Sequence, residues 1–375
     1  MLPTSNPDPD ALLIGRVWRE GLGPSVVRVA GSALMDITSR QVPTVSALLE
    51  RDDLVDYVKG AAGELIGSLD DVASGKLKLL APCDLQAVKA SGVTFAESMV
   101  ERVIEEQAAG DADRADEIRK KVQSVIGDSL SGIEPGSEKA MEVKRVLQGE
   151  GLWSAYLEVG IGPDAEVFTK CQPMASVGWG DQIGLHPIST WNNPEPEIVL
   201  AVTSTGKIVG ATLGNDVNLR DVEGRSALLL GKAKDNNASC SIGPFLRLFD
   251  DSFGMDDVEN AELTLTVEGE DGFTLNGHSS MTKISRRPAD IVKQTVGQHH
   301  QYPDGFMLFL GTLFAPIQDR DKPGQGFTHK MGDVVRIEEE KLGQLKNTVR
   351  LSTECPPWEF GAGALMRNLG QRGLL

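Results

Sequence analysis

A strand, a turn and a second strand follow one another near the centre of the chain, in the stretch WNNPEPEIVLAVTSTGKIVGATLGNDVNLRD. Residues 198–202 are apolar and rich in β-branched side chains, and the Ser-Thr-Gly run at positions 204–206 has the composition of a tight turn. The pattern therefore predicts an antiparallel hairpin in which Val202 faces Ile208. This feature commits the centre of the chain to a β-sheet.

Acidic residues lie at the open end of this predicted hairpin. Glu195 and Glu197 are two residues apart, so a strand extended back to them places both on one face, with Cα atoms about 6.6–7 Å apart. Counting outward from the turn sets residue 215 opposite Glu195 and brings Asp216 to the same end. Three carboxylates without a basic partner repel one another, and their burial is costly unless a cation compensates. We therefore predict a divalent metal held by Glu195, Glu197 and Asp216; the alternative is an exposed polar face followed by a turn aspartate.

The predicted ligands are all oxygen atoms, which indicates the class of metal. Oxygen donors favour Mg²⁺ over zinc, with Mn²⁺ or Ca²⁺ as substitutes. Mg²⁺ prefers an octahedron, so three protein ligands leave three positions open. The carboxylate and carbonyl oxygens of a 2-keto acid can fill two of them, which leaves one for water.

Composition excludes several other functions. The chain has 375 residues and a net charge of −17, without the clustered Lys and Arg that a nucleic-acid partner needs. It has no run of about 18 apolar residues, so we expect a cytoplasmic protein without a membrane partner. The four cysteines are far apart, which favours buried thiols over a zinc site or disulfides. GRSALLLGKA resembles the end of a P-loop but has Ala233 where Ser or Thr is required, so nucleotide binding is not expected.

Three composition zones predict an α+β fold. Residues 1–80 contain short alternating strands between glycines and form a small N-terminal domain. Residues 81–375 form the catalytic domain, which begins with a helical insert of two or three helices between Phe95 and Gln148. From Trp153 onward strand patterns dominate, so we predict a mostly-β catalytic core.

The ordered motifs NNPEPE, NDVNLRD and GKAKDNNASCSIGP resemble the fumarylacetoacetate hydrolase family, in which ExE on one strand precedes an ND…RD segment and then GK…GP. The segments GFMLFLGTLFAP and KMGDVVRIEEEKLGQLKNTV are similar to the family's strand ending in Gly-Thr and to its closing segment. The resemblance covers roughly residues 80–370. It implies that the catalytic core is the family's β-roll.

The resemblance also implies roles for individual residues. The three predicted metal ligands take the family's ligand positions. Lys232 takes the position of its active-site lysine, and we expect it to act as a base or as a partner of the enolate. Substrate-binding positions fall on Arg220, Gly311 and Thr312.

Two departures from the family pattern bear on the reaction. The family's hydrolases carry Tyr-x-x-His-x-x-Glu near the start of the catalytic domain, where this chain has Phe95, Ser98 and Glu101. Hydrolysis of a C–C bond needs a base to activate water, and histidine is the usual choice. We therefore expect dehydration, with Ser98 in contact with the substrate and Glu101 as the acid for a departing hydroxyl. The second departure is Glu223, where hydrolases often carry glutamine.

Within the family, the segments GVTFAES, LWSAYLEVGIGPDAEVFTK, HQYPDGF and PIQDRD resemble members that dehydrate 2-keto-3-deoxy sugar acids. This implies a Mg²⁺-dependent dehydratase that converts a 2-keto-3-deoxy-pentonate to 2,5-dioxopentanoate in oxidative pentose breakdown. It also implies a homo-oligomer, a dimer or a tetramer. The alternatives are a C–C bond hydrolase of the acylpyruvate or fumarylacetoacetate type and a non-catalytic protein that binds 2-keto acids.

Overall fold

The structure is a computed structural model, and it describes residues 11–95, 99, 120, 133–151, 153–314, 318–321 and 326–375. Its strands are β1 Leu13–Arg19, β2 Gly23–Ala30, β3 Ala33–Asp36, β4 Glu64–Ser68, β5 Lys78–Leu80, β6 Ala87–Gly92, β7 Glu166–Cys171, β8 Gln182–Leu185, β9 Pro196–Val202, β10 Ile208–Asp216, β11 Cys240–Leu248, β12 Glu262–Glu268, β13 Thr274–Ser280, β14 Phe306–Phe309, β15 Val334–Glu339 and β16 Gly343–Leu351. Its α-helices are α1 Val45–Leu49, α2 Leu54–Gly60, α3 Leu69–Ala73, α4 Glu138–Gly149, α5 Ala155–Ile161, α6 Arg220–Glu223, α7 Leu230–Lys234, α8 Met255–Glu259, α9 Pro288–Thr295 and α10 Ala362–Gln371. Short 3₁₀ turns lie at Ala227–Leu229 and Met281–Lys283.

The described strands form two sheets. The larger sheet has eleven strands, ten of them in the order β4-β3-β2-β1-β11-β10-β9-β14-β6-β7, with β5 paired to β1. Its neighbours are antiparallel except for β14 and β6. The smaller sheet has the order β13-β12-β15-β16-β8, in which β16 and β8 are parallel. The predicted α+β fold is therefore confirmed.

The N-terminal strands belong to the larger sheet. Leu13 of β1 lies opposite Arg247 of β11, and β11 pairs in turn with β10. Sheet hydrogen bonding thus runs from the first eighty residues into the strands of the predicted catalytic core. The domain boundary at residue 80 stays a prediction.

Part of the predicted helical insert lies outside the described residues. Within them, α4 and α5 each begin after a serine, Ser137 and Ser154, whose side chain accepts a hydrogen bond from the first turn. Leu147 and Leu157 from these helices share a small buried core. None of the helices in the described part of the chain is long and apolar enough to cross a membrane.

Strand β9 is buried along its whole length. Ile198, Leu200 and Val202 belong to one hydrophobic core, whereas Val199 and Ala201 belong to another. Because successive side chains of a strand point to opposite faces, β9 separates the two cores. Burial on both faces explains why this segment is an unbroken apolar run.

Candidate metal centre

Three acidic side chains meet at the end of the β9–β10 hairpin that lies away from its turn. Glu195, Glu197 and Asp216 each offer a carboxylate oxygen, and these oxygens lie within 4.8 Å of one another. The three residues are 4%, 2% and 2% exposed. The structure thus brings together the three side chains that the sequence predicted as ligands, and it excludes an exposed polar face.

A β-bulge places Asp216 on the same face as the two glutamates. The pairing begins as predicted at the turn, but the register then shifts by one residue, so that Asn215 lies opposite Pro196. Asp216 is consequently level with Glu195, and its N–H donates to the Glu195 carbonyl oxygen at 3.0 Å. The prediction of residue 215 opposite Glu195 was wrong by one position, because a bulge adds one residue to one strand. Without it Asp216 would point to the other face of the sheet.

Two buried lysines neutralise part of the negative charge. Lys234 Nζ donates to Glu195 Oε2 at 2.6 Å and to Asp216 Oδ2 at 3.0 Å. Lys170 Nζ lies 3.0 Å from Asp216 Oδ1 and also donates to the carbonyl oxygens of Val217 and Lys234. The prediction that the carboxylates have no basic partner was therefore wrong. Both lysines come from elements outside the hairpin, so the hairpin sequence alone did not reveal them.

Burial and charge shift the pKa values of these groups in different directions. Burial raises the pKa of Glu197 well above its ordinary value, and repulsion from Asp216 and Glu195 adds to the rise. Burial also acts to raise the pKa of Asp216, but the attraction of Lys170 and Lys234 outweighs it and lowers the pKa. For Lys234, burial acts to lower the pKa, and the attraction of Asp216 and Glu195 reverses this and raises it. Lys234 is therefore cationic, whereas the raised pKa of Glu197 means that its ionised form needs a further cation nearby.

The backbone at Gly311 supplies a hydrogen bond to the third carboxylate. The N–H of Gly311, two residues after β14, donates to Glu197 Oε2 at 2.6 Å. Gly311 has a φ of +88°, and a Cβ atom there would collide with the hydroxyl of Thr94. The close approach of this backbone to the carboxylate therefore requires glycine. Thr312, the next residue, is half-buried beside the site.

Asn218 connects the cluster to helix α6. Its Nδ2 donates to Glu195 Oε1 at 3.2 Å and to Glu223 Oε2 at 2.6 Å. Asn218 is 1% exposed, and its backbone pairs with that of Asn193. Both oxygens of Glu195 are therefore held, one by Asn218 and the other by Lys234.

Arg220 lies at the start of α6, next to this network. Its guanidinium carbon is 4.3 Å from the centroid of the Trp191 ring. The ring is fixed in turn, because its Nε1 donates to the carbonyl oxygen of Phe327 at 3.1 Å. This cation–π contact orients the guanidinium at the edge of the site.

The predicted active-site lysine needs correction. Lys232 is exposed, and its carbonyl oxygen accepts from Asn236 Nδ2. The lysine that contacts the carboxylates is Lys234. Residues two apart on a helix point to nearly opposite sides, so α7 turns only one of the two lysines toward the cluster. Ser98 and Glu101 lie outside the described residues, and their roles stay predictions.

The sequence interpretation missed three residues of this site, Lys170, Lys234 and Asn218. A signal was available for Lys234, which lies in the same GKAK run as Lys232. A weaker one was available for Lys170, a single lysine at the end of the strand-like segment EVFTKC. No sequence signal distinguished Asn218 from an ordinary residue of a turn.

The donor set fits one divalent cation. Three ionised carboxylates and two lysines carry one net negative charge. A divalent ion makes this one net positive charge, which suits a singly charged anion as the further ligand. Oxygen-only ligands favour Mg²⁺. The fold and the site thus define a buried carboxylate cluster, built on a β-hairpin, that can hold a divalent metal ion.

Residues 173–350 match the family described as fumarylacetoacetate (FAA) hydrolase C-terminal. The chain is 34% identical over 194 residues to a probable 2-keto-3-deoxyxylonate dehydratase of Haloferax volcanii, an alignment that covers 52% of this chain and 63% of that protein. It is 28% identical over 185 residues to a 2-dehydro-3-deoxy-D-arabinonate dehydratase of Saccharolobus solfataricus, with coverage of 49% and 58%. The chain therefore spans less than two thirds of the length of these curated relatives.

One solved structure with the same fold is a 2-keto-3-deoxy-D-arabinonate dehydratase complexed with magnesium and 2,5-dioxopentanoate. The superposition has a TM-score of 0.63 and 20% identity, and it covers 90% of this chain and 99% of that one. Residues 173–350 thus match the family that the ordered sequence motifs resemble, and the superposition shows that the two chains share a fold.

Proposed function

We propose that the protein is a magnesium-dependent hydro-lyase that dehydrates a 2-keto-3-deoxy-pentonate to 2,5-dioxopentanoate, the semialdehyde of 2-oxoglutarate. The observation that carries the proposal is the buried cluster of Glu195, Glu197 and Asp216, which fits a divalent cation and a singly charged anion. The substrate class comes from the names of the two curated relatives, both called dehydratases of such acids. A role in pentose catabolism follows from this substrate and is part of the proposal.

In this proposal Glu195, Glu197 and Asp216 hold the Mg²⁺. When bound, Mg²⁺ supplies a Lewis acid that polarises the keto group of a chelated 2-keto acid and acidifies its C3 protons. Lys234 and Gly311 orient the three carboxylates before the metal arrives, since each carboxylate is hydrogen-bonded to one of them. The site is therefore preorganised for the ion.

The reaction removes a proton from C3 and the hydroxyl group from C4, which together leave as water. The unsaturated keto acid then rearranges through the enol of the C5 aldehyde, in which the double bond lies between C4 and C5: C5 and its hydroxyl each lose a proton, and C3 and C4 each gain one. The product has an aldehyde at C5, and one water is the only by-product. The chain must therefore supply an acid for the hydroxyl group and a base for the carbon-bound protons.

We assign these roles to the residues near the metal. Lys234 is the cation that stabilises negative charge on the enolate, in place of the exposed Lys232. Glu101 is proposed as the acid for the departing hydroxyl, as the family resemblance implies. The substrate-binding residues of the proposal are Ser98, Arg220, Gly311 and Thr312.

The test is an NMR assay of the full chain with 2-keto-3-deoxy-D-pentonates. We expect 2,5-dioxopentanoate to form with Mg²⁺, to stop forming with EDTA and to resume when Mg²⁺ is restored. Pyruvate released from an acylpyruvate under the same conditions would instead support a C–C bond hydrolase. Tight binding of 2-keto acids without any product would support a non-catalytic binding protein. The predicted homo-oligomer is part of the proposal, and light scattering of the purified chain tests it.

A further inference from the structure

Asn218 uses one end of its amide group and leaves the other end unused. Its Nδ2 donates to two carboxylates, Glu195 and Glu223. Its Oδ1 is buried and has no hydrogen-bond partner among the residues that the structure describes. The amide cannot be flipped to exchange the two atoms, because its oxygen would then face two carboxylate oxygens that can only accept. The free end is therefore a fixed acceptor.

A buried acceptor without a donor is unusual in a folded protein. Such groups are normally paired, because leaving one unpaired forfeits its hydrogen bonds to water. Asn218 is 1% exposed, so bulk solvent does not satisfy it. Because Nδ2 of the same amide group contacts Glu195, the unpaired oxygen lies one amide group away from a proposed metal ligand, and we take the bound substrate to lie on this side of the site. A donor group on the substrate would remove this deficit.

The neighbours of Asn218 present acceptors as well. Glu223 lies 2.6 Å from Asn218 Nδ2 and contributes a carboxylate. Asn193, which pairs with Asn218 through the backbone, also has a buried Oδ1 that lacks a partner within the described part of the chain. A ligand that fits this side of the site must bring hydrogen-bond donors. Hydroxyl groups are such donors, whereas the carbonyl groups of an acylpyruvate only accept.

We infer that Asn218 determines specificity for hydroxylated 2-keto acids, with its Oδ1 accepting a hydrogen bond from a substrate hydroxyl group and its Nδ2 holding Glu223 beside it. The identity of the substrate rests on the proposed function, which places a 2-keto acid on the metal. The hydroxyl groups at C4 and C5 of a 2-keto-3-deoxy-pentonate are the donors available. Asn218 is thus the residue that separates sugar acids from unhydroxylated keto acids.

The experiment measures binding and does not depend on turnover. Calorimetric titrations of the Mg²⁺-loaded full chain compare 2-oxopentanoate with its 4-hydroxy and 5-hydroxy derivatives. We expect at least one hydroxylated acid to bind roughly tenfold to a hundredfold more tightly than 2-oxopentanoate. In N218A this advantage, taken as the ratio of the Kd values at saturating Mg²⁺, should fall below about threefold, even though loss of the hydrogen bond to Glu195 also weakens Mg²⁺ binding. The matched control is N276A, at an exposed position of β13, which should keep the full advantage.

Two results would overturn the inference. One is equal binding of all three acids by the wild-type chain, a comparison that needs no variant and therefore stands even if N218A does not fold. The other is a hydroxyl advantage that survives undiminished in N218A at saturating Mg²⁺, which would mean that Asn218 supports only the metal ligands. A hydroxyl advantage in a chain that forms no 2,5-dioxopentanoate would sustain the inference and refute the proposed function, so the two failures are distinguishable.

Discussion

Replacement of Lys234 by methionine keeps the length of the side chain and removes its charge. The Lys234 ammonium group is buried against Glu195 at 2.6 Å and Asp216 at 3.0 Å. Removal of one partner from a buried ion pair costs about 3–5 kcal/mol, because the remaining charge is uncompensated. At an unfolding entropy of about 2.1 cal/mol/K per residue, a chain of 375 residues has an unfolding entropy of about 0.8 kcal/mol/K. Without metal, K234M should therefore melt about 4–6 °C below the wild type.

Saturating Mg²⁺ should offset much of this loss, because a divalent cation compensates the same carboxylates. Differential scanning calorimetry in EDTA and in Mg²⁺ measures both values, and the rise in Tm caused by Mg²⁺ should be larger for K234M than for the wild type. K232M is the matched control on the same helix, and its exposed side chain should change stability by no more than about 0.5 kcal/mol. Equal melting of K234M and the wild type in EDTA would refute this account of the charge balance. An equal rise in Tm on addition of Mg²⁺ to K234M and to the wild type would also refute it.

Four further changes test other parts of the site and fold. K170M should lose at least as much stability as K234M, and calorimetry should show a smaller rescue by Mg²⁺, because the metal cannot replace the donor that two backbone carbonyl oxygens also lose. E197Q should keep its fold and melt no lower than the wild type in EDTA, because repulsion among the carboxylates is relieved. Isothermal titration of the same variant should show at least about tenfold weaker Mg²⁺ binding. G311A should lose about 1–3 kcal/mol in equilibrium unfolding, because its positive φ disfavours a side chain, and its Mg²⁺ affinity should fall as the hydrogen bond to Glu197 is displaced. Asp333 is buried and pairs with Arg320 at 2.6 Å and with His329 at 3.1 Å. Burial acts to raise the pKa of Asp333, but these two partners hold the pKa at about 2 against an ordinary 3.8. The stability that this lowered pKa contributes is present above pH 4 and is lost toward pH 2. Acid unfolding followed by circular dichroism should therefore show a smaller loss of stability per pH unit for D333N than for the wild type in that range.

The central hairpin could be predicted because its signals are local. A buried strand, a turn of three residues and a second strand follow one another, and the two-residue period of a strand places Glu195 and Glu197 together. The position of Asp216 could not be derived with the same security. Simple counting left it one residue out of register, and only the bulge near the turn brings it to the correct face.

The lysines could not be assigned from spacing, because their placement depends on tertiary structure. Lys170 reaches the cluster from β7, forty-six residues before Asp216, so no local pattern connects the two. Lys232 and Lys234 differ only in which side of a five-residue helix they occupy. The family resemblance implied Lys232, whereas the lysine of this segment that contacts the carboxylates is Lys234. The N-terminal strands were likewise recognised as strands, whereas their union with β11 depends on long-range pairing.

The most direct test of the metal centre is a crystal structure of the full chain grown with Mn²⁺, which replaces Mg²⁺ in oxygen sites and has a measurable anomalous signal. The account predicts one strong anomalous peak bounded by carboxylate oxygens of Glu195, Glu197 and Asp216, at roughly 2.0–2.3 Å from each. A peak elsewhere, or no peak among these three side chains at a saturating concentration of Mn²⁺, would contradict it.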